Sequence, residues 1–247
     1  DLHLSIRRQR QMCIRDSISV NGTVISTNGD GGSNYAYDMF TTTYSGLSIS
    51  NNTFRTRGLG GGNIGIRMRG QNALIENNTI TTFDNATGFS GANYGISQTA
   101  GSSNVTITNN SISTNGTGGT NYGINNLQGN TRILHNTILT NGAGGNRVIT
   151  GGGSNINIYN NTLISNSTDV GFLDYGLDLN APATTNGTFA NNIIQTDGPT
   201  AENTGIRVSG TTLSTFANNT IRTNGTNSNR GIALSGQTNN NTFTNIT

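Results

Sequence analysis

Residues 107–116 read ITNNSISTNG, and the same phrase returns along the chain as I-x-N-N-T-I-x-T-N-G with drift. It appears as ISNNTFRT from Ile49, IENNTITT from Ile75, ILHNTILTNG from Ile133 and IYNNTLISN from Ile158. FANNIIQTDG from Phe189 and FANNTIRTNG from Phe216 continue it, a degenerate copy VNGTVISTNG opens at Val20, and the last copy stops as FTNIT from Phe243. Successive copies lie 25 to 32 residues apart, the spacing of solenoid repeats, in which each unit buries its apolar side chains only by stacking on the next.

A second phrase, N-Y-G-I, sits between the copies of the first. It reads NYAY at Asn34, NIGI at Asn63, NYGI at Asn93 and Asn121, DYGL at Asp174, NTGI at Asn203 and NRGI at Asn229, with a weaker copy at Val148-Ile149. Each repeat therefore carries three short apolar alternations of period two, the signature of short strands. Aligned, they give three columns. The first is Tyr37, Ile66, Ile96, Ile124, Ile149, Leu177, Ile206, Ile232. The second is Val20, Ile49, Ile75, Ile107, Ile133, Ile158, Phe189, Phe216, Phe243. The third is Ile25, Phe54, Ile80, Ile112, Ile138, Leu163, Ile194, Ile221. Nearly all are β-branched or aromatic, as a buried pleated face prefers. A disordered chain rich in Asn, Thr and Gly has no reason to keep Ile in register.

Composition narrows the choice from the other side. The 41 Asn, 39 Thr and 35 Gly make up nearly half of the 247 residues, and these are poor helix formers, which excludes a helix bundle. No apolar run approaches the ~20 residues of a membrane-spanning helix. One Cys excludes a disulfide framework or a Cys-rich zinc site. Residues 1–17, DLHLSIRRQRQMCIRDS, stand apart: they hold four of the 13 Arg and the only Cys, and they lack Asn, Gly and Thr. RRQRQMCIRDS resembles translated adapter sequence fused to reading frames from metagenomic assemblies, so this leader is expected to be non-native or disordered, and 18–247 to form the repeat domain. Without the leader 9 Arg face 9 acids, and the electrostatic case for a nucleic-acid partner disappears. The chain starts without Met and stops inside a repeat, so it reads as a fragment, with further coils of a parent chain at one or both ends.

The Asn-Asn pair is read as a sharp corner between the second and third strands. Asn tolerates the left-handed backbone conformation, and stacked amides can bond from coil to coil. The ladder is assigned to the first member of each pair: Asn51, Asn77, Asn109, His135, Asn160, Asn191, Asn218 and Asn245. His135 is then one substituted rung and not a catalytic residue.

This combination of Asn pair, flanking Ile and repeated G-I strand resembles the right-handed parallel β-helix repeat of pectate-lyase-like proteins. The resemblance covers 18–247 and implies an all-β fold, one right-handed parallel β-helix of about eight to nine coils. It further implies that any chemistry sits on the outward face of the first-column strand. That outward column is Asp38, Arg67, Ser97, Asn125, Thr150, Asp178, Arg207, Ala233. Lyases of this fold use clustered acids with Ca²⁺ and a basic Arg or Lys, and its hydrolases use paired carboxylates. The sequence has no Lys, and Asp38 and Asp178 are five coils apart, about 24 Å. That is beyond the 6.5–9.5 Å of an inverting pair.

The candidates that remain are Asp178, Arg207 and Asp174 for catalysis, and Asp169, Asp174, Asp197 and Glu202 as oxygen ligands for Ca²⁺. The plainer reading is a solvated Asp178–Arg207 pair worth ~0.2–1 kcal/mol, with Asp38–Arg67 alike. Tyr35, Tyr94, Tyr122 and Tyr175 form a column whose parity matches the inward Ile, so they are expected in the core or at a corner, the alternative being a sugar-stacking stripe. The glycines beside them (Gly65, Gly95, Gly123, Gly176, Gly205, Gly231) fit either a backbone requirement or a flat ligand face. Regular repetition, low charge and the lack of a polar constellation point to a non-catalytic stalk or adhesin segment, similar to autotransporter passengers, on a bacterial surface or secreted. The alternatives are a polysaccharide lyase or glycoside hydrolase, and a module binding a polysaccharide or host glycan or protein through loops such as 81–93 and 165–174. No cofactor is expected beyond the Ca²⁺ candidate.

Overall fold

A computed structural model describes residues 18–29, 32–59, 61–84, 91–180, 184–199, 202–236 and 238–247; the leader, 1–17, lies outside the described residues. The chain winds through three parallel sheets in strict rotation. Among the described residues sheet A has nine strands, from Ile18–Asn21 to Thr242–Thr244. Sheet B has eight, from Val24–Gly29 to Thr220–Asn224, and sheet C eight, from Asn34–Ser45 to Ser228–Ser235. Each strand pairs in parallel with the strand one coil before and one coil after, which is the right-handed β-solenoid expected from the repeat.

The three columns superpose residue for residue. In sheet A, Val20 pairs Ile49, Ile49 pairs Ile75, and the row continues to Phe216 and Phe243. In sheet B the row runs Ile25, Phe54, Ile80, Ile112, Ile138, Leu163, Ile194, Ile221. In sheet C it runs from Tyr37 to Ile232, and the segment Asn146–Gly151, faint in sequence, is an ordinary rung there. The middle members of all three rows are buried and form one continuous core. Each burial is worth roughly 2 kcal/mol for a fully covered Ile-sized side chain. Phe189, Phe216 and Phe243 stack at 4.7 Å, close to the strand spacing.

The Asn pair divides its labour differently from the sequence expectation. Asn51, Asn77, Asn109, His135, Asn160, Asn191, Asn218 and Asn245 all have φ between 49° and 56°, so they turn the corner as expected, and Gly22 (φ 63°) turns it in the degenerate copy. The continuous ladder, however, belongs to the second member. Asn52, Asn78, Asn110, Asn136, Asn161, Asn192 and Asn219 are buried, and each backbone N–H donates to the Oδ1 of the next at 2.8–3.0 Å. Their Nδ2 groups donate to the same oxygens at 3.0–3.1 Å. A left-handed residue at a convex corner throws its side chain into solvent, and the chain re-enters the core only at the next residue. The first column is accordingly exposed, with amide–amide bonds from Asn51 to Asn21 and from Asn245 to Asn218 at its ends. His135 sits among these exposed turn residues.

The glycines of sheet C are fixed by packing. A Cβ on Gly65, Gly95, Gly123, Gly176 or Gly205 would overlap the Cγ2 of the sheet B isoleucine below it (Ile80, Ile112, Ile138, Ile194 or Ile221), and would stand 2.5–2.7 Å from a carbonyl oxygen of the next coil. The glycine and the following Ile thus both face inward, which resets the strand's alternation. At these five positions the backbone reading of the column holds, whereas at Gly231, in the last strand of sheet C, an added Cβ would meet nothing within 4 Å.

Candidate functional site

Because each glycine, and Ala36 in the first coil, takes one inward step ahead of the inward Ile or Tyr37, the residue before it faces outward. Tyr35, Tyr94 and Tyr122 are half-buried on the outer face of sheet C, not in the core that their parity with Ile suggested. Tyr94 and Tyr122 stack at 4.9 Å with their planes 5° apart. Burial first, and then the neighbouring tyrosines, push the Tyr94 phenol above its ordinary value. One coil further on, Arg147 takes the tyrosine's place, between Tyr122 and Tyr175, with its guanidinium carbon 5.7 Å from each ring centre.

The outward column named from the sequence is also assembled. Asp38 pairs Arg67 and Asp178 pairs Arg207 across adjacent rungs. Each pair is a two-pronged fork. Arg67 Nε and NH2 donate to Asp38 at 2.8 and 2.6 Å, and Arg207 Nε and NH2 donate to Asp178 at 2.7 Å each. In both, the guanidinium also lies 4.1 Å over the tyrosine three residues before the acid, Tyr35 or Tyr175. The two sites are copies of one module: Tyr-x-x-Asp on one rung and Arg on the next.

The modules differ in solvation, and here the expectation of a solvated pair needs correction at the second one. The Asp178 side chain is 1% exposed. Arg207 covers it from one side, and Arg147 approaches from the other at 3.7 Å. Arg207 NH1 further donates to the Tyr175 hydroxyl at 3.1 Å, and Tyr175 is 2% exposed. Desolvation opposes the Arg207 charge, but the Asp178 hydrogen bonds and charge outweigh it, so the group is held above the ordinary arginine value. The Tyr175 phenol is raised, chiefly by burial. Breaking such a desolvated pair costs several kcal/mol, unlike a surface pair. Arg147 was not among the sequence candidates; its place in the tyrosine column, NRVI aligned with NYGI, is the signal that could have found it.

The other candidate acids are not brought together. Asp174 points inward, 0% exposed, in a second amide ladder described below. Asp169 Oδ1 accepts from the Val170 N–H at 2.6 Å within its own turn. Asp197 accepts from the Gln195 amide. Glu202 accepts from the Thr204 hydroxyl at 2.8 Å and pairs with Arg230 at 3.1 Å. Among the described residues, no three His, Cys, Asp or Glu side chains gather as a metal site, and no helix is long and apolar enough to cross a membrane.

Three parallel sheets, amide-laddered corners and a fully stacked apolar core define a β-solenoid. The chain belongs to the right-handed β-helix family, whose model matches residues 5–163. No curated protein and no solved structure matches it.

Proposed function

We propose that this chain is a length of non-catalytic, extracellular β-helical stalk or adhesin segment in a bacterial surface or secreted protein. The observation that supports this reading best is the state of the outward face of sheet C. Among the described residues its carboxylates are each committed to arginine along the stack: Asp38 to Arg67, Asp178 to Arg207 and Arg147, Glu202 to Arg230. A hydrolase needs one carboxyl that can shuttle a proton and another that meets water or the sugar, and a buried, doubly capped Asp178 serves neither role. Links that run from rung to rung stiffen a rod.

A second reading, a glycan-binding module, draws on one observation: the half-buried Tyr94–Tyr122 stack next to Arg147 is a flat aromatic surface of the kind sugar rings lie on. The two readings, and the lyase or hydrolase alternative, are separated by one set of assays. The chain is incubated with uronate-rich and neutral polysaccharides, with and without Ca²⁺, and followed for new reducing ends, for unsaturated products and for binding by calorimetry. The stalk reading expects neither turnover nor binding. Turnover that is lost in both Asp178→Asn and Arg207→Gln, with the fold intact by circular dichroism, would establish the enzyme instead. Binding that is lost in Tyr122→Ala would establish the glycan module. Labelling intact source cells with antiserum to 18–247 tests the surface location.

A further inference from the structure

A second ladder runs along the corner between sheets B and C. Asn34 Nδ2 donates to Asn63 Oδ1, Asn63 to Asn93, Asn93 to Asn121 and Asn121 to Asn146, at 3.0–3.1 Å. It resumes from Asn203 to Asn229 at 3.3 Å. Between these two runs the rung is Asp174. Its Oδ1 accepts the Asn146 backbone N–H at 2.8 Å, whereas the asparagine Oδ1 groups of this ladder accept the Nδ2 of the rung before. Its Oδ2 is an acceptor, where each asparagine of the ladder carries an Nδ2 that donates to the following rung.

Two buried oxygens are left over at this joint. Asp174 Oδ2 has no hydrogen-bond partner, and neither has Asn203 Oδ1, the acceptor of the residue paired with it on the next coil. Both residues are 0% exposed. Two unpartnered acceptors on paired residues, one of them charged, form an arrangement that a native interior avoids. A single proton on Oδ2 turns it into the donor that the ladder direction requires.

The surrounding charges do not offer another remedy. On the strand of Asp174 itself, Leu173–Leu179, the titratable groups are Tyr175 and Asp178, bound to Arg207 on the outward face. The strand before it in sheet C, Asn146–Gly151, brings Arg147, which turns to Asp178 and the tyrosines. The strand after it, Glu202–Ser209, brings Glu202 and Arg207, both engaged. Ile193–Asp197 in sheet B brings Asp197, held by Gln195. Thr162–Ser167 brings Ser165, which is near enough to favour the ionised carboxylate slightly but makes no hydrogen bond of ordinary geometry. No cation is among the groups whose influence is felt at Asp174.

We propose that Asp174 enters the ladder as a neutral carboxylic acid that donates its Oδ2 proton to Asn203 Oδ1, and that losing this proton to solvent loosens the joint between the Leu173–Leu179 and Glu202–Ser209 coils. The solenoid then carries one pH-sensitive rung in an otherwise pH-indifferent amide column. Burial is the dominant influence, and it lifts the carboxyl from 3.8 to about 7, against the opposing hydrogen bonds of Asn146 and the nearby Ser165 hydroxyl. The native chain therefore keeps a proton that the unfolded chain has already lost between these values. The contribution of Asp174 to stability is fully present below about pH 4, is lost as pH rises to about 7, and is level above that.

Carboxyl ¹³C NMR of the wild-type chain, with Asp174 assigned through the backbone resonances of Leu173 and Tyr175, reads the titration directly. A midpoint near neutrality is expected; a midpoint in the ordinary range near 4 overturns the proposal. Urea unfolding of wild type and Asp174→Asn between pH 4 and 9 reads the linkage. The asparagine supplies an N–H to Asn203 at every pH. The unfolding constant of the variant relative to wild type should therefore fall by up to about tenfold per pH unit across the window, leaving the variant clearly more stable at pH 8. A variant no more stable than wild type at pH 8, or one with an equal pH slope, refutes the switch.

Discussion

Adjacent asparagines in one corner should respond to mutation in opposite ways, and Asn160 and Asn161 offer the test. Asn161 is 1% exposed. Its Nδ2 donates to Ile133 O at 2.9 Å, Tyr159 O at 2.8 Å and Asn192 Oδ1 at 3.0 Å. Its Oδ1 accepts the Asn136 backbone N–H at 2.9 Å and the Asn136 Nδ2 at 3.1 Å. Asn161→Ala removes all of these. Asn136 Nδ2 keeps Ile107 O and Leu134 O, and Asn192 Oδ1 keeps the Asn161 backbone N–H, but the buried Asn136 N–H loses its acceptor. An orphaned buried donor costs ~1–3 kcal/mol, and the other lost bonds bring the total to about 3–5 kcal/mol.

Asn160 is exposed, with φ 54°. Asn160→Ala should cost only ~1 kcal/mol, for an ordinary side chain held left-handed, and Asn160→Gly should cost less still. The measurement is urea unfolding of the whole chain followed by circular dichroism and by tyrosine fluorescence; coincident curves guard against coil-by-coil melting, to which repeat arrays are prone. With a slope of about 3 kcal/mol/M, Asn161→Ala should lower the midpoint by roughly 1 M or more. If Asn160→Ala proves as damaging as Asn161→Ala, the buried ladder is assigned to the wrong residue.

Three further outcomes follow from the same geometry. Leu213 holds φ 53° at a corner where the neighbouring coils use Asn186 and Asn240, and it is 60% exposed; Leu213→Asn should raise the unfolding free energy by about 1 kcal/mol, seen as a higher urea midpoint. Gly176→Ala forces a Cβ onto Ile194 Cγ2 and to 2.7 Å from Gly205 O, so a loss of at least ~1–3 kcal/mol is expected, and Ile194→Ala should cost less in that background than in the wild type, read as a coupling in a double-mutant cycle. Arg207→Met leaves Asp178 buried beside Arg147 alone and should cost ~3 kcal/mol or more, whereas adding Asp178→Leu should recover much of it in a double-mutant cycle.

How much of this was open to a reader of the chain can be judged from particular residues. The three apolar columns needed only their alternation, because a buried parallel rung admits few residue types and the same few recur every coil. The turn at Asn51 and its equivalents was equally legible, since so few side chains accept a left-handed backbone. The outward pairs Asp38–Arg67 and Asp178–Arg207 could be named from register alone. The sequence by itself determined the winding, the core and the corners, because those depend on local backbone preference and on periodicity. Only the tertiary structure decided which of two adjacent amides faces inward, that two successive inward residues at the glycine turn the tyrosines out, that Asp178 lies beneath two arginines, and that Asp174 is buried on the rung next to an unpartnered oxygen. Each of these depends on where a side chain ends up once the coils are stacked, and burial and facing partners are properties of the stack, not of any one repeat.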